Sequence, residues 1–219
     1  MTLHVAYGGT FDPVHRGHLA VAAAARDTLD ADVAFVPAAD PPHRAAPGAS
    51  ALQRARMLAL AIDGEPRFSV DLRELRRDEP SWTVPTLESL RADLGAAAPL
   101  AWLVGADAFL GLPTWHRWRD LSDLAHLVVA VRPGHALDPL PPALAAACDG
   151  RWTTDPAVLA AAPAGRVFRL DLPPHPASAT AVRADLADGH DDLGWLPPAV
   201  AAFIRAEGLY RGPGAPPGV

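Results

Sequence analysis

The stretch from Gly8 to Leu19, GGTFDPVHRGHL, lies within the first predicted strand–helix–strand unit of this chain of 219 residues. It follows an apolar run at residues 3–7, whose β-forming side chains and closing glycines are typical of a buried strand ending in a tight turn. Residues 15–29 then carry apolar side chains at helical spacing, and a second apolar run follows at residues 32–36. Strand, helix and strand within this length predict a βαβ unit.

The same alternation continues along the rest of the chain. Further apolar runs of strand length lie at residues 67–72, 100–104, 126–131 and 166–170. Helical patterns separate several of them, at residues 51–62, 86–94 and 121–125. We therefore predict an α/β fold, a Rossmann-like doubly wound parallel sheet with helices on both faces. Right-handed crossovers would place every strand's carboxyl end at one edge, where such sheets bind ligands.

The chain closes with two helical patterns, at residues 179–186 and 198–207. They predict a small C-terminal helical part over about residues 178–210, within a single domain spanning residues 1–210. Residues 211–219 are expected to be a disordered tail.

Composition and charge exclude several classes of protein. Half of the residues are hydrophobic, which is enough for a core and excludes a disordered chain. The 19 basic residues face 25 acidic ones, so the net charge of −6 argues against binding nucleic acid by bulk charge. No apolar run reaches the roughly 20 residues of a membrane span, and no signal peptide is recognisable. With Cys148 as the single cysteine, we expect a cytoplasmic protein with no membrane partner.

The stretch from Gly8 to Leu19, called the signature stretch below, has the composition of an anion-binding site. Glycines after a strand and the start of a helix favour a bound phosphate. His15 and His18, three residues apart, are expected on one face of the first helical turn, where both imidazoles could contact that phosphate. They could instead be ordinary cap or surface residues, and a zinc site would need further ligands. The stretch lacks the lysine of a Walker A loop and the G-x-G-x-x-G of a dinucleotide fingerprint.

The stretch resembles the G-x-F-D-P-x-H-x-G-H signature of the nucleotidylyltransferase superfamily. Later motifs, in the expected order through about residue 210, resemble the bacterial nicotinate-nucleotide adenylyltransferases. These motifs are Pro41-Pro42-His43-Arg44, Pro80-Ser81-Trp82-Thr83, Gly105-Ala106-Asp107, Pro113-Thr114-Trp115, Arg132-Pro133-Gly134 and Ser178-Ala179-Thr180-Ala181-Val182-Arg183.

This resemblance implies adenylyl transfer from ATP to nicotinate mononucleotide, with these two molecules as partners. It implies catalytic roles for His15, His18, Arg44 and Arg183. It implies ATP binding by Gly8, Gly9, Thr10, Phe11, Asp107, Ser178 and Thr180. It implies nicotinate mononucleotide binding by Thr83, Trp115 and His116, with the Trp115 ring stacked on the pyridine. Mg²⁺ would be held mainly by the ATP phosphates, and no protein metal site is expected.

Plainer interpretations stand beside several of these roles. Ser178 and Asp107 could simply cap helices, and Trp115 could be a core residue. Arg44 replaces the usual lysine within a long Pro-rich segment, residues 37–50, that we expect to form a mobile loop. Trp82 replaces a common tyrosine and Pro85 an often acidic residue, with Pro85 expected to begin the next helix.

The acceptor phosphate is already ionised at neutral pH, so the expected mechanism needs no general base. Rival interpretations are another nucleotidylyltransferase, such as the pantetheine phosphate enzyme, or a catalytically silent nucleotide sensor. The oligomeric state stays open.

Overall fold

A parallel sheet of seven strands runs through the described residues, which are 1–39, 48–134, 137–190 and 194–212 of this computed structural model. The strands are β1 (Leu3–Gly9), β2 (Ala31–Pro37), β3 (Phe68–Val70), β4 (Leu100–Gly105), β5 (His126–Val131), β6 (Trp152–Thr153) and β7 (Val167–Asp171). Every neighbouring pair is parallel. The predicted Rossmann-like architecture is confirmed.

The strand order is β3-β2-β1-β4-β5-β7-β6. The chain therefore builds outward from β1 through β2 to β3, then crosses to β4 and builds outward in the other direction through β5 to the edge strand β6, before β7 inserts between β5 and β6. In doubly wound sheets this reversal leaves a crevice between the carboxyl ends of the two central strands, here β1 and β4. The fold thus directs attention to the residues that follow Gly9 and Gly105.

Helices cover both faces of the sheet. They are α1 (Arg16–Leu29), α2 (Ala51–Ala61), α3 (Thr83–Leu94), α4 (Ala106–Leu110), α5 (Leu121–Leu124), α6 (Pro142–Cys148), α7 (Pro156–Ala160), α8 (Ala179–Ala187) and α9 (Pro198–Glu207). Alternate residues of each central strand enter opposite cores, as the period of two requires. In β4, Leu103 packs in the core beneath α1, α2 and α9, while Trp102 packs in the core beneath α3, α5 and α6.

Several short elements were not predicted from the sequence. The edge strand β6 has two residues, and α4, α6 and α7 have five, seven and five. Elements this short complete too little of a period to be recognised from hydrophobic spacing. Helix α3 begins at Thr83 and not at Pro85, which occupies the first turn, where its missing N–H needs no partner.

The two C-terminal helices lie where the sequence predicts them, and α9 packs against α2. Of the expected loop at residues 37–50, residues 40–47 lie outside the described part of the chain, as do residues 213–219 of the expected tail. Among the described residues, no helix combines the length and apolar character needed to cross a bilayer.

Candidate active site

A cleft of about 880 Å³ opens at the carboxyl ends of β1 and β4. Most of the sequence-predicted site residues line it, namely Gly8, Gly9, Thr10, Phe11, His18, Thr83, Asp107, Trp115, His116 and Arg183. His15, Ser178 and Thr180 are not among the lining residues. Arg44 lies outside the described part of the chain. The structure thus brings together residues that are up to 175 positions apart in sequence.

Close packing of neighbouring side chains, as well as ligand binding, requires glycine at both positions at the end of β1. A Cβ on Gly8 would lie 2.1 Å from Cζ2 of Trp102 on the neighbouring strand β4. A Cβ on Gly9 would lie 2.9 Å from the ring of Phe11. The absence of side chains therefore lets two aromatic rings close against the strand, and these rings form part of the cleft wall.

His15 and His18 form a stacked pair at the start of α1. His15 is the residue before the helix, and its ring lies 3.8 Å from that of His18, centroid to centroid. The backbone N–H of His15 donates to Nδ1 of His18 over 3.3 Å. Because Nδ1 of His18 is an acceptor, the neutral ring carries its proton on Nε2. His18 reaches the cleft and His15 lies behind it, whereas the helical spacing predicted that both would face the ligand.

The environment of His15 keeps its ring neutral. The side chain is buried, with 2% of its surface exposed, and its Nδ1 has no hydrogen-bond partner among the described residues. Burial lowers the pKa of His15 to about 4, and the charges of Arg132 and His175 act in the same direction. At neutral pH, His15 therefore contributes a packed imidazole that fixes the position of His18, and not a charge.

Asp12, in the cleft wall, is buried and accepts several hydrogen bonds. Its carboxylate accepts the N–H of Gly48 over 2.8 Å, the N–H of Ala49 over 3.1 Å and the hydroxyl of Tyr210 over 2.7 Å. Burial raises the pKa of Tyr210 well above its usual range, and its bond to Asp12 adds to that shift. The signature stretch is thereby fastened to the start of α2 and to the C-terminal end of the fold.

Two arginines supply positive charge to the cleft. Arg183, on α8, donates to the backbone carbonyl of Asp12 over 2.6 Å and so approaches the signature stretch as predicted. Arg132 follows β5 and has no hydrogen bond or ion pair with any described residue. Ser178 accepts the N–H of Ala181 over 3.2 Å and caps α8, which matches its plainer interpretation.

Asp107 occupies the first turn of α4 and lines the cleft. The residue that precedes the helix is Gly105, so Asp107 does not act as the helix cap. Its carboxylate accepts no hydrogen bond from the part of the chain that the structure describes. An unpartnered carboxylate at the end of β4 can accept hydrogen bonds from hydroxyl groups such as those of a ribose.

The opposite end of the cleft is built from aromatic rings and backbone donors. Thr83 is the first residue of α3, and neither its N–H nor that of His116 has an acceptor in the described ranges. The Trp82 ring lies 5.2 Å from the His116 ring, and Trp115 lines the same wall. Free N–H groups at a helix start, beside flat rings, form a site for an aromatic anion.

A buried carboxylate supports this end of the cleft. Glu74 has 4% of its surface exposed and accepts the hydroxyl of Thr86 over 2.6 Å. Burial raises the pKa of Glu74, while hydrogen bonds from Thr86 and Ser81 oppose that rise. Ser81 also accepts the N–H of Ala39 over 2.9 Å, so this network ties the start of α3 to the end of β2.

Four residues that line the cleft were missed or given no role when the sequence alone was considered. Trp102 and Arg132 lie on strands or strand ends whose neighbours are not visible in a linear pattern. Trp82 was noted only as a departure from a common tyrosine. Asp12 was quoted within the signature but assigned no function, although a carboxylate between strand and helix was a signal that could have indicated one.

The described residues contain no group of three or more His, Cys, Asp or Glu side chains placed to hold a metal ion.

Comparison with known proteins agrees with this geometry. Residues 6–185 match the family described as cytidylyltransferase-like. A protein from Stenotrophomonas maltophilia, named probable nicotinate-nucleotide adenylyltransferase, is 54% identical over 97% of this chain and 99% of its own length. A protein of the same name from Laribacter hongkongensis is 53% identical over 94% of this chain and 93% of its own length.

The fold also matches a solved structure. Nicotinic acid mononucleotide adenylyltransferase from Plasmodium falciparum, complexed with NaAD, aligns with a TM-score of 0.67 over 96% of this chain and 98% of that one. At 16% sequence identity, this likeness concerns the fold. The two sequence relatives match over nearly their whole length at more than 50% identity. The chain therefore belongs to the nicotinate-nucleotide adenylyltransferase family within the cytidylyltransferase-like group.

Proposed function

We propose that this cleft transfers the adenylyl group of ATP to nicotinate mononucleotide, giving nicotinate adenine dinucleotide (deamido-NAD) and pyrophosphate in NAD biosynthesis. The observation that carries the proposal is that one cleft joins two different anion sites. One end presents His18 and two arginines, as a polyphosphate requires. The other presents backbone N–H groups beside aromatic rings, as a pyridine carboxylate requires.

The reaction joins two phosphates. An oxygen of the mononucleotide phosphate attacks the α-phosphorus of ATP, a new P–O bond forms, and the bond from that phosphorus to the pyrophosphate oxygen breaks. The attacking phosphate, with a second pKa of about 6, is mostly a dianion at neutral pH and needs no base. The cleft has only to align the two phosphates and stabilise the charge of the transition state.

We assign the charge stabilisation to His18, Arg183 and Arg132. The Nε2–H of His18 donates to the transferring phosphate, and His15 acts through His18 because it lies behind it. Arg183 donates one N–H to the carbonyl of Asp12, which leaves its other donors for phosphate oxygens. Arg44 is assigned to the same chemistry from the resemblance alone.

The remaining ATP contacts follow the wall of the cleft. Gly8, Gly9, Thr10 and Phe11 would lie along the adenosine and phosphates, and Asp107 would accept hydrogen bonds from ribose hydroxyls. Ser178 and Thr180 are proposed as part of the phosphate site at the start of α8. Mg²⁺ would arrive with the triphosphate as part of the substrate, held mainly by the phosphates and by water.

At the acceptor end, the N–H groups of Thr83 and His116 would bind the nicotinate carboxylate, and Trp115 would stack on the ring. Thr83 begins a helix of 12 residues, so the helix dipole adds to the attraction for a negative group. We place the reaction in the cytoplasm, consistent with a single buried cysteine.

A pyrophosphate-release assay with MgATP and a panel of acceptors tests the proposal. The panel is nicotinate mononucleotide, nicotinamide mononucleotide and pantetheine phosphate, and mass spectrometry identifies each product. We expect the fastest release with nicotinate mononucleotide and a product containing both nucleotides. Faster release with pantetheine phosphate would indicate the rival transferase, and ATP binding without release from any acceptor would indicate a silent sensor.

A further inference from the structure

Arg54 is a fully buried arginine whose charge meets no carboxylate. Its side chain, on the first turns of α2, has 1% of its surface exposed. No described carboxylate lies within ion-pair distance of its guanidinium. Burial lowers the pKa of Arg54, and this shift is partly offset by the more distant charge of Asp12. A buried, unpaired cation is costly for a fold, so its position calls for a reason beyond packing.

All three sides of the guanidinium bind backbone carbonyls. Nη1 donates to Thr10 over 2.7 Å, Nη2 to Ala39 over 3.1 Å and Nε to Ala49 over 3.2 Å. These carbonyls belong to three separate segments: the signature stretch, the residues after β2 and the residues before α2. One side chain therefore fixes the relative positions of three backbone segments at the base of the cleft.

The segment that Arg54 holds most tightly is also strained. Phe11, which follows Thr10, has φ of +51°, in the left-handed region that side chains other than glycine rarely adopt. This turn lets Phe11 pack against Gly9 and directs the chain toward His15. Strained backbone persists only where its surroundings hold it, and it concentrates at functional sites. Arg54 holds this turn from one side, while Arg183 binds the carbonyl of Asp12 from the other.

The capped first turn of α2 orients the Arg54 side chain. Ser50 and Gln53 form a reciprocal cap, in which the N–H of Gln53 donates to the Ser50 hydroxyl and the N–H of Ser50 donates to the Gln53 side chain. The capped turn sets the helix direction one residue before Arg54. Only a planar fork can serve the three acceptors at once, because lysine offers one compact charge without that geometry.

We propose that Arg54 is a positioning residue for adenylyl transfer, which holds the strained turn at Thr10 and Phe11 in the geometry that aligns the phosphates over His18. The proposal rests on the proposed function. A misplacement of about 1 Å at the reacting groups can lower the rate about 10²-fold. Loss of Arg54 should therefore lower kcat more than it weakens the binding of either substrate.

The test compares Arg54→Lys and Arg54→Gln with Arg91→Lys. Arg91 is a matched control because its guanidinium also donates to backbone carbonyls, those of Leu124, Gly95, Ala98 and Pro163, but does not line the cleft. Each variant is measured for thermal unfolding, for MgATP binding without acceptor, and for kcat and KM with nicotinate mononucleotide. The wild-type chain is assayed first, because its failure to release pyrophosphate would refute the proposed function and not the role of Arg54.

We expect Arg54→Lys to fold and to lose about 10²-fold in kcat, while MgATP binding and KM change less than about fivefold. Arg91→Lys should unfold at a lower temperature yet keep kcat within about threefold of wild type. Three outcomes would overturn the proposal: an Arg54→Lys variant with near wild-type kcat, equal losses of kcat in the Arg54 and Arg91 variants, or failure of both Arg54 variants to fold at low temperature while Arg91→Lys folds.

Discussion

The two ends of the cleft are constructed in different ways. At the phosphate end, side chains from distant elements bind the signature stretch: Arg183 donates to the backbone carbonyl of Asp12, and the Tyr210 hydroxyl donates to the Asp12 carboxylate. At the pyridine end, backbone N–H groups and rings on short turns line the wall, and the exposed His116 ring lies against Trp82. The phosphate end is held by hydrogen bonds from distant elements, whereas the pyridine end combines the network of Glu74, Thr86 and Ser81 with rings and N–H groups that face the cleft.

This difference matches what each end has to do. Phosphoryl-type transfer depends on alignment of the reacting atoms, so small displacements cost large factors in rate. Recognition of a flat, charged ring depends on matching donors and on stacking, which tolerate small displacements. We therefore expect changes at the phosphate end to act mainly on kcat, and changes at the pyridine end to act mainly on the choice of acceptor.

The largest effect is expected for His18→Ala. This change removes a donor whose tautomer and position are fixed by the N–H of His15 and by the stacked ring behind it. Loss of one preorganised donor to the transition state lowers kcat by roughly 10²–10³-fold. Steady-state kinetics of His18→Ala and of the exposed control His190→Ala will check this, with circular dichroism to confirm folding. Turnover above a third of wild type would contradict the role of His18.

The next effect concerns the acceptor. The amide of nicotinamide would bring N–H donors toward the N–H groups of Thr83 and His116, and each unsatisfied group costs about 1–3 kcal/mol. We expect kcat/KM to favour the acid by roughly 10²-fold. Measurement with both acceptors at saturating MgATP gives this ratio directly. A ratio near one would refute the acceptor site while leaving adenylyl transfer intact.

One substitution can remove the proposed donor without breaking the helix. Thr83 is the first residue of α3, a position that proline favours, and the extended Trp82 before it is compatible with a following proline. Thr83→Pro should lower the acid preference at least about tenfold, because it deletes one N–H from the carboxylate site. Thr83→Ala, which keeps that N–H, should preserve the ratio. An equal loss of preference in both variants would assign the effect to the side chain.

The sequence predicted local features of the cleft better than contacts between residues that are far apart in the chain. The βαβ unit and the signature stretch are local, so hydrophobic spacing and motif were sufficient for the sheet and for His18 at the cleft. The bond from Tyr210 to Asp12 spans 198 positions, and no local pattern encodes such a contact. His15 was expected to face the ligand because helical spacing was applied to a residue that stands just before the helix. The single domain at residues 1–210 stays a prediction.

A fourth prediction concerns the pH dependence of stability and uses the buried ring of His15 behind His18. A folded-state pKa of about 4 for His15, against about 6.5 in the unfolded chain, means that the unfolded chain binds the proton more readily. The stabilisation that the neutral His15 ring gives the folded chain is therefore fully present above pH 6.5 and is lost as the pH falls toward 4. The free energy of unfolding should drop by about 2 kcal/mol between pH 7.5 and pH 5 from this residue.

Chemical denaturation across this pH range, on wild type and on His15→Asn, will isolate the contribution. Burial also lowers the pKa of His126, at the start of β5, so that residue acts with the same sign and leaves a smaller slope in the variant. Equal pH dependence in the two proteins would show that His15 does not titrate as its burial requires.

The smallest effect is expected at the pyridine wall, where Trp115 offers its ring to either acceptor. Stacking is indifferent to the acid or amide group, so Trp115→Ala should lower kcat/KM about tenfold for both forms and leave their ratio within about twofold. Trp118→Ala is the matched control, because Trp118 packs against the core on the same face of the sheet without lining the cleft. It should reduce the melting temperature and leave kcat/KM nearly unchanged. If Trp115→Ala instead changed the acid-to-amide ratio, the ring would be positioning the donors of His116, and the two functions of the pyridine end would not be separable.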